Sequence, residues 1–459
     1  MAKLLTTLLI LVAAYYFTHR ALPWLFTAAG RALGFEMKPS PDWQKRMKRF
    51  RSLKRGYYSY LIITTLFVLS FFLEFLVNNK PLMINYDGRV AFPAFAEWGG
   101  WLPFVKSHRH IDRKSDFGQV GDDEVDYRLF AAEVKDPSLL DGQIAEREKE
   151  IKDTEAEIAA TKPGPGSTED ERLDYRDLQE TVPDIESEIA ALKKAKEVFS
   201  AGKASIIMPL YPYSPYEHLM DMPGRPPTGP TRTNILGTDD SATDVFAQLV
   251  YGFRVSLSFA LIVSALGYVI GIVVGAVMGY FGGWADILIQ RFIEIWASIP
   301  FLYVIMIIAS IVQPSFLLLV IMLVALSSWL SMTYYIRGEF YREKSRDYVQ
   351  AAVAMGAGDW SVMMKHILPN SLVPVVTFAP FAIVGYVGQL VSLDYLGFGL
   401  PVGTPSWGVL MDQGMQYIKY YPHLILTPSI ALAVTLYLVV QIGEAVREAF
   451  DPKVFSRLR

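Results

Sequence analysis

The 459-residue chain contains no cysteine, so it can form neither a disulfide framework nor a thiolate metal site. Charge is sparse: 19% of residues are Asp, Glu, Lys or Arg, whereas 52% are hydrophobic. A Gly-x-x-x-x-Gly-Lys-Ser/Thr phosphate loop is missing as well. The Gly202-Lys203 pair lacks both the upstream glycine and the hydroxyl residue, so this chain cannot hydrolyse ATP on a P-loop. His108-Arg109-His110 alternates two imidazoles with no third ligand nearby, too few for a metal centre. No Ser/His/Asp arrangement of recognisable spacing occurs. The expectation is a chain that is not an enzyme, with no catalytic residue, cofactor or metal of its own.

What the chain has instead is apolar length. Several nearly uncharged windows reach the ~20 residues needed to cross ~30 Å of hydrocarbon, which defines an all-α polytopic membrane protein. Residues 1–44 are a hydrophobic or interfacial segment. Lys3 to Ala29 read as one span puts Arg20 near mid-membrane, at a cost of about 2.5–3.5 kcal/mol; read as two pieces it is a short anchor followed by an interfacial helix, and Leu4 to Ala14 could also serve as a signal-peptide core. Residues 45–78 hold a basic run, Lys45 to Arg55, and then a first core span, Tyr57 to Val77. Positive charge beside a span marks the cytoplasmic side, a better reading of this run than nucleic-acid binding.

Residues 79–236 form a polar insert that this topology places in the periplasm. Pro81 to Glu97 suggests short strands or loops around an Asp87-Gly88 turn. Ile144, Ile151 and Ile158 recur every seven residues, and Leu178, Val182, Ile185, Ile189 and Leu192 alternate four and three. The spacing predicts two antiparallel helices over about 137–200, separated by Lys162 to Ser167, with Pro183 interrupting or restarting the second. Leu210 to Arg232 is Pro- and Tyr-rich and extended.

Residues 237–459 carry five further spans. Asp244 to Phe253 can form a short helix leading into Val255 to Phe281, where Gly267, Gly271, Gly275 and Gly279 place a smooth stripe on one face. Gly282-Gly283 makes a tight turn. Next come Ile295 to Gln313 and Phe316 to Ile336, with Arg291 and Glu294 paired one turn apart at the start of a span. Arg337, Arg342, Lys344 and Arg346 then return the chain to the cytoplasm, and loop 337–371 lies there. Leu372 to Leu393 leads outward to a Gly/Pro loop, Leu396 to Gly408, and His423 to Gly443 returns to a cytoplasmic C-terminus. Six core spans follow the basic run.

Within that loop, Tyr348 to Ser371 predicts a short helix, a break at Gly356, a second helix capped by Asp359, and a stop at Pro369. The stretch resembles the coupling motif of ABC importer permeases: an acidic residue, Ala-Ala, three residues, Gly, nine residues, Ile-x-Leu-Pro. Ala351, Ala352, Gly356, Leu368 and Pro369 match, while Gln350 stands at the acidic position and His366 at the Ile position. Leu236 to Asp239, Tyr251-Gly252, Tyr280 to Gly283, Leu393 to Gly399, Asp451-Pro452 and Lys80 to Gly88 extend the resemblance. Together they resemble the second permease of peptide-type ABC importers, most of all the Yej-type permeases associated with peptides and microcin C. The resemblance runs from Lys45 to Lys453, except over the helical hairpin.

It implies a type I ABC importer permease in the bacterial inner membrane. The implied partners are a second homologous permease, ATPase subunits that hold ATP and magnesium, and a periplasmic solute-binding protein. The coupling residues would be Gln350, Ala351, Ala352, Gly356, His366, Leu368 and Pro369. Two other classes remain: an ion-coupled transporter or channel with a periplasmic sensor insert, and a membrane scaffold whose hairpin recruits partners.

Overall fold

A computed structural model describes residues 2–21, 23, 24, 41–99, 113–117, 124–163, 168–219, 222 and 224–450. His108 to His110, most of the patch after Arg20, residues 164–167 and Asp451-Pro452 lie outside the described residues. The chain divides into two compact units, Met1–Phe71 with Pro215–Arg459, and Phe72–Ser214.

The first unit opens with a helix, Ala2–Tyr16, that continues as a π turn, Phe17–Ala21. His19 Nε2 there lies 3.2 Å from Thr65 Oγ1, so the N-terminal helix is tied to the helix Lys54–Ser70. The basic run is itself a helix, Pro41–Ser52, with Phe50 buried against Ala445, Ala449 and Phe450. The helix Lys54–Ser70 is shorter than the expected span to Val77: 17 residues, about 26 Å at 1.5 Å per residue.

The Phe72–Ser214 unit explains why. A 3₁₀ turn, Leu73–Phe75, follows, and Asn78 Nδ2 donates to Glu74 O and Glu97 Oε2, which diverts the backbone. Where the sequence suggested short strands or loops, strands Met83–Tyr86 and Arg89–Ala91 form a hairpin, with Asp87 and Gly88 both left-handed as a two-residue turn requires. A third strand, Ala204–Ile207, pairs antiparallel on the other side of Met83–Tyr86 (Met83 opposite Ile207), and four residues gave it too little pattern to be foreseen. Helices Leu139–Ala160 and Glu169–Ser200 form the hairpin, and Leu140, Ile144, Ile185 and Ile189 join Ile84, Phe130 and Phe199 in one core. Pro183 does not interrupt its helix. It sits on the exposed face, where the carbonyl deprived of a donor can bond to water.

Beside the hairpin, Glu133 is 2% exposed; Gln143 Nε2 donates to one oxygen at 2.8 Å, and the other has no partner. Burial pushes this carboxyl above its ordinary value of 4.5. A raised carboxyl stabilises the fold below its unfolded value and loses that contribution as pH rises through the folded value. Thermal unfolding of the full chain should show this unit weakening as pH rises above about 4.5, and Glu133→Gln should flatten the dependence.

The membrane-type helices belong to the first unit. Val245–Phe281 is one helix of 37 residues, capped by Asp244, which accepts from Ala247 N at 2.8 Å, so no separate lead-in helix exists. The glycine stripe is filled as expected. A Cβ on Gly267 would meet Ser328 Oγ, one on Gly271 would lie 2.7 Å from Trp329 O, and one on Gly275 2.6 Å from Thr333 O. The partner runs from Ser328, at the end of a π turn, through Trp329 into the helix Leu330–Lys344.

Ile295 to Gln313 is not a continuous span. Helices Gly283–Ala297 and Phe301–Ile311 meet at a 62° bend, where Pro300 has an extended backbone and no N–H to continue the first helix. Phe316–Ser328 and Leu330–Lys344 likewise meet at 45° across a π turn, Val324–Ser328. Val373–Tyr395, Trp407–Gln416 and His423–Phe450 complete the unit. Trp407–Gln416 lay hidden in the sequence after the Gly/Pro loop, and its Trp407 Nε1 donates to Leu249 O at 2.8 Å. Among the described residues, three helices are long and apolar enough to cross a membrane, or five if each bent pair is one span.

Candidate functional site

Residues 347–371 form a helical knuckle between Leu330–Lys344 and Val373–Tyr395. Asp347–Ala354 comes first, and Gly356 then turns the chain at φ +81°. That conformation is strained for any residue with a Cβ. The second helical run starts at Asp359, passes through a π turn, Val362–Ile367, and ends at Ser371.

Two sequence expectations change here. Gly358 is the capping position; the Asp359 carboxylate instead accepts from Tyr280 Oη at 2.6 Å. Pro369 does not stop the helix, because the wider π turn just before it accommodates its ring and missing N–H.

One face of the knuckle is cemented to the membrane helices. Val349, Val362, Met363 and Ile367 are buried in one cluster with Ala276, Tyr280, Met332, Ile336 and Phe340. Polar ties add direction. Tyr348 Oη donates to Glu343 Oε2 at 2.7 Å and accepts from Asn370 Nδ2 at 3.0 Å. Burial and the Glu343 carboxylate both hold the Tyr348 phenol above its ordinary value. Lys344 Nζ lies over the Tyr280 ring and donates to Tyr280 O. A push on the knuckle therefore reaches Val245–Phe281 and Leu330–Lys344 through packed side chains. Removing the Tyr280–Asp359 tie by Tyr280→Phe should destabilise the chain by about 1.5–3 kcal/mol, read as a lower melting temperature in detergent.

The other face is bare, and its largest exposed side chains are apolar, with Gln350, Asp359 and Lys365 also exposed on the knuckle. Met355 is 82% exposed and Trp360 73%, with Val353 half exposed beside them. Val353 also lines a concavity of about 310 Å³ with Tyr280, Phe281, Lys344, Val349, Gln350 and Asp359.

The sequence-derived residues divide between these faces. Ala352 is buried and Leu368 packs against the core cluster, whereas Ala351, Gly356 and Pro369 are exposed. Gln350 Nε2 donates to Lys344 O at 2.9 Å, a bond that a carboxylate at this position could not make. His366 is half-buried, and its carbonyl accepts from Asn370 at 3.1 Å. Met355 and Trp360 carried no sequence signal, since spacing cannot say which apolar residues stay uncovered.

The other motifs are structural. Asp239 accepts from Thr243 N, Thr243 Oγ1 and Gln248 Nε2, each at 2.8 Å, and Asp394 accepts from Leu400 N at 2.7 Å. Arg291 and Glu294 pair at 2.6 Å on the exposed side of Gly283–Ala297, within that helix rather than at the start of a span. Arg337, expected as a topology charge, also reaches Asp286 at 2.6 Å and Gln290 at 2.9 Å.

These features define a membrane transport subunit, and the chain belongs to the family of binding-protein-dependent transport system inner membrane components, whose model matches residues 271–456. It is a multi-pass inner-membrane permease. It is 35% identical over 423 residues to the peptidoglycan transport system permease protein YejE of Agrobacterium fabrum, covering 90% of this chain and 94% of that one. The inner membrane ABC transporter permease protein YejE of Escherichia coli is 34% identical over 413 residues, covering 90% and 98%. The oligopeptide transport system permease protein OppC of Haemophilus influenzae matches at 31% over 220 residues, 48% of this chain and 70% of that one.

Proposed function

We propose that the chain is one permease half of an ATP-driven importer that moves oligopeptides or peptide-like compounds, microcin C among them, from periplasm to cytoplasm. The observation that carries this reading is the knuckle: one face bonded to the membrane helices, the other presenting Met355 and Trp360. A transporter with no motor needs such a lever. An ATPase subunit seated on the apolar face would move the knuckle, and the packed helices would rock between outward- and inward-open states. Relatives named for peptidoglycan, oligopeptide, glutathione and dipeptide transport share a peptide-bearing cargo.

In this reading the knuckle and C-terminus are cytoplasmic, and the Phe72–Ser214 unit faces the periplasm, where a solute-binding protein delivers cargo. A second permease completes the pore, and ATP and magnesium reside on the ATPase pair. The test is peptide uptake into proteoliposomes holding the assembled permeases, with and without ATPase subunits. ATP-dependent uptake that vanishes without them is expected. Uptake driven by an ion gradient alone would assign the chain to ion-coupled transporters instead.

A further inference from the structure

The basic helix Pro41–Ser52 carries more charge than the fold uses. Its apolar side is fixed: Phe50 and Met47 pack against Ala445, Ala449 and Phe450. Two cations are spent on that contact, Arg49 on Glu448 at 3.2 Å and Arg46 over the Phe450 ring at 5.0 Å. Lys48, Arg51, Lys54 and Arg55 are exposed, and none of the four has an ion-pair partner among the described residues.

Arg51, in the last turn of Pro41–Ser52, complements the dipole of that helix, but helix stability does not call for the others. Lys54 and Arg55 stand in the first turn of Lys54–Ser70, where the helix dipole repels cations, and neither an acidic residue nor a side-chain cap offsets them. Orientation during insertion needs positive charge in the sequence, not charge held on an immobilised helix. The place of these cations in the chain names the counter-charge. Lys48 and Arg51 end one helix and Lys54 and Arg55 begin the next, whose later turns, Leu61 to Leu69, are largely apolar, the arrangement expected of cations at headgroup depth.

We propose that Lys48, Arg51, Lys54 and Arg55 form a binding site for anionic phospholipid headgroups, whose phosphodiesters complete the charge of this elbow. Each Lys or Arg near an anionic surface strengthens the attraction roughly five-fold, so the site selects phosphatidylglycerol over zwitterionic lipid. Because the same helix is clamped to His423–Phe450, bound lipid also steadies the C-terminal span.

The absence of cysteine gives a clean test. Ser52→Cys in the full chain, labelled with bimane and placed in nanodiscs, is titrated with spin-labelled phosphatidylglycerol or spin-labelled phosphatidylcholine at equal mole fraction. The phosphatidylglycerol should quench about five-fold more effectively or better, and 0.5 M salt should erode the preference. The preference should disappear in Lys48→Gln/Arg51→Gln/Lys54→Gln/Arg55→Gln and persist in Lys48→Arg/Lys54→Arg. Equal quenching by both lipids in the otherwise unaltered chain overturns the proposal without recourse to the variants. So does a preference unchanged in the quadruple glutamine variant, or no quenching by either lipid, which would mean that protein covers the helix. No ATPase or peptide enters the assay, so its outcome is independent of the importer reading.

Discussion

Met355→Glu/Trp360→Glu is expected to abolish ATP-driven peptide uptake while leaving the chain folded. Both side chains are mostly exposed, so the substitution removes no intramolecular packing of consequence and should change stability by no more than about 0.5 kcal/mol. If an ATPase seats on this face, two charges would be buried there without partners. Large exposed aromatic and Met side chains are the usual anchors of such interfaces, and losing one costs about 2 kcal/mol or more, a roughly thirty-fold loss of affinity. Uptake in proteoliposomes should fall at least about ten-fold, with the melting temperature in detergent within about 2 °C of the parent. Unimpaired uptake would place the motor contact elsewhere.

The second large effect belongs to the glycine stripe. A Cβ on Gly271 would lie 2.8 Å from Met332 Cβ, and one on Gly275 3.0 Å from Ile336 Cβ, besides the nearby carbonyls of Trp329 and Thr333. Neither neighbour can yield without separating Val245–Phe281 from Leu330–Lys344. Gly271→Leu or Gly275→Leu should each cost about 1–3 kcal/mol, and the pair together should prevent the helices from closing. Gly385→Ala is the control: nothing lies within 4 Å of its Cβ position, and alanine is the better helix former. Thermal unfolding in detergent should rank the double leucine variant far below the parent and Gly385→Ala at or above it. Similar values for all would mean that the close approach does not hold these helices together.

Much of this architecture was legible because it rests on periodicity. Glycines every fourth residue demanded a close helix partner, and Ile144, Ile185 and Ile189 on a helical seam demanded a hairpin. The knuckle was visible in Gly356, whose positive φ few other residues tolerate. What stayed hidden depends on distant partners. Asp359 looked like a cap because Tyr280, 79 positions earlier, cannot be seen beside it. The ion pair of Arg337 was hidden likewise, because Asp286 lies 51 positions earlier. Pro300 was a local signal that hydropathy averaging masked, and Pro183 and Pro369 show the reverse error. A proline breaks a helix only where the freed carbonyl has no alternative partner and no widened turn absorbs the ring.

The central claim, that a chain with no phosphate loop takes its force from a separate ATPase through the 347–371 knuckle, can be tested with one thiol. Met355→Cys would be the single cysteine of the chain. In the assembled transporter a short thiol-reactive crosslinker at that position should join the permease to the nucleotide-hydrolysing subunit. A cysteine at 355 modified only from the periplasmic side, or never joined to an ATPase that is present in the same complex, would contradict the account.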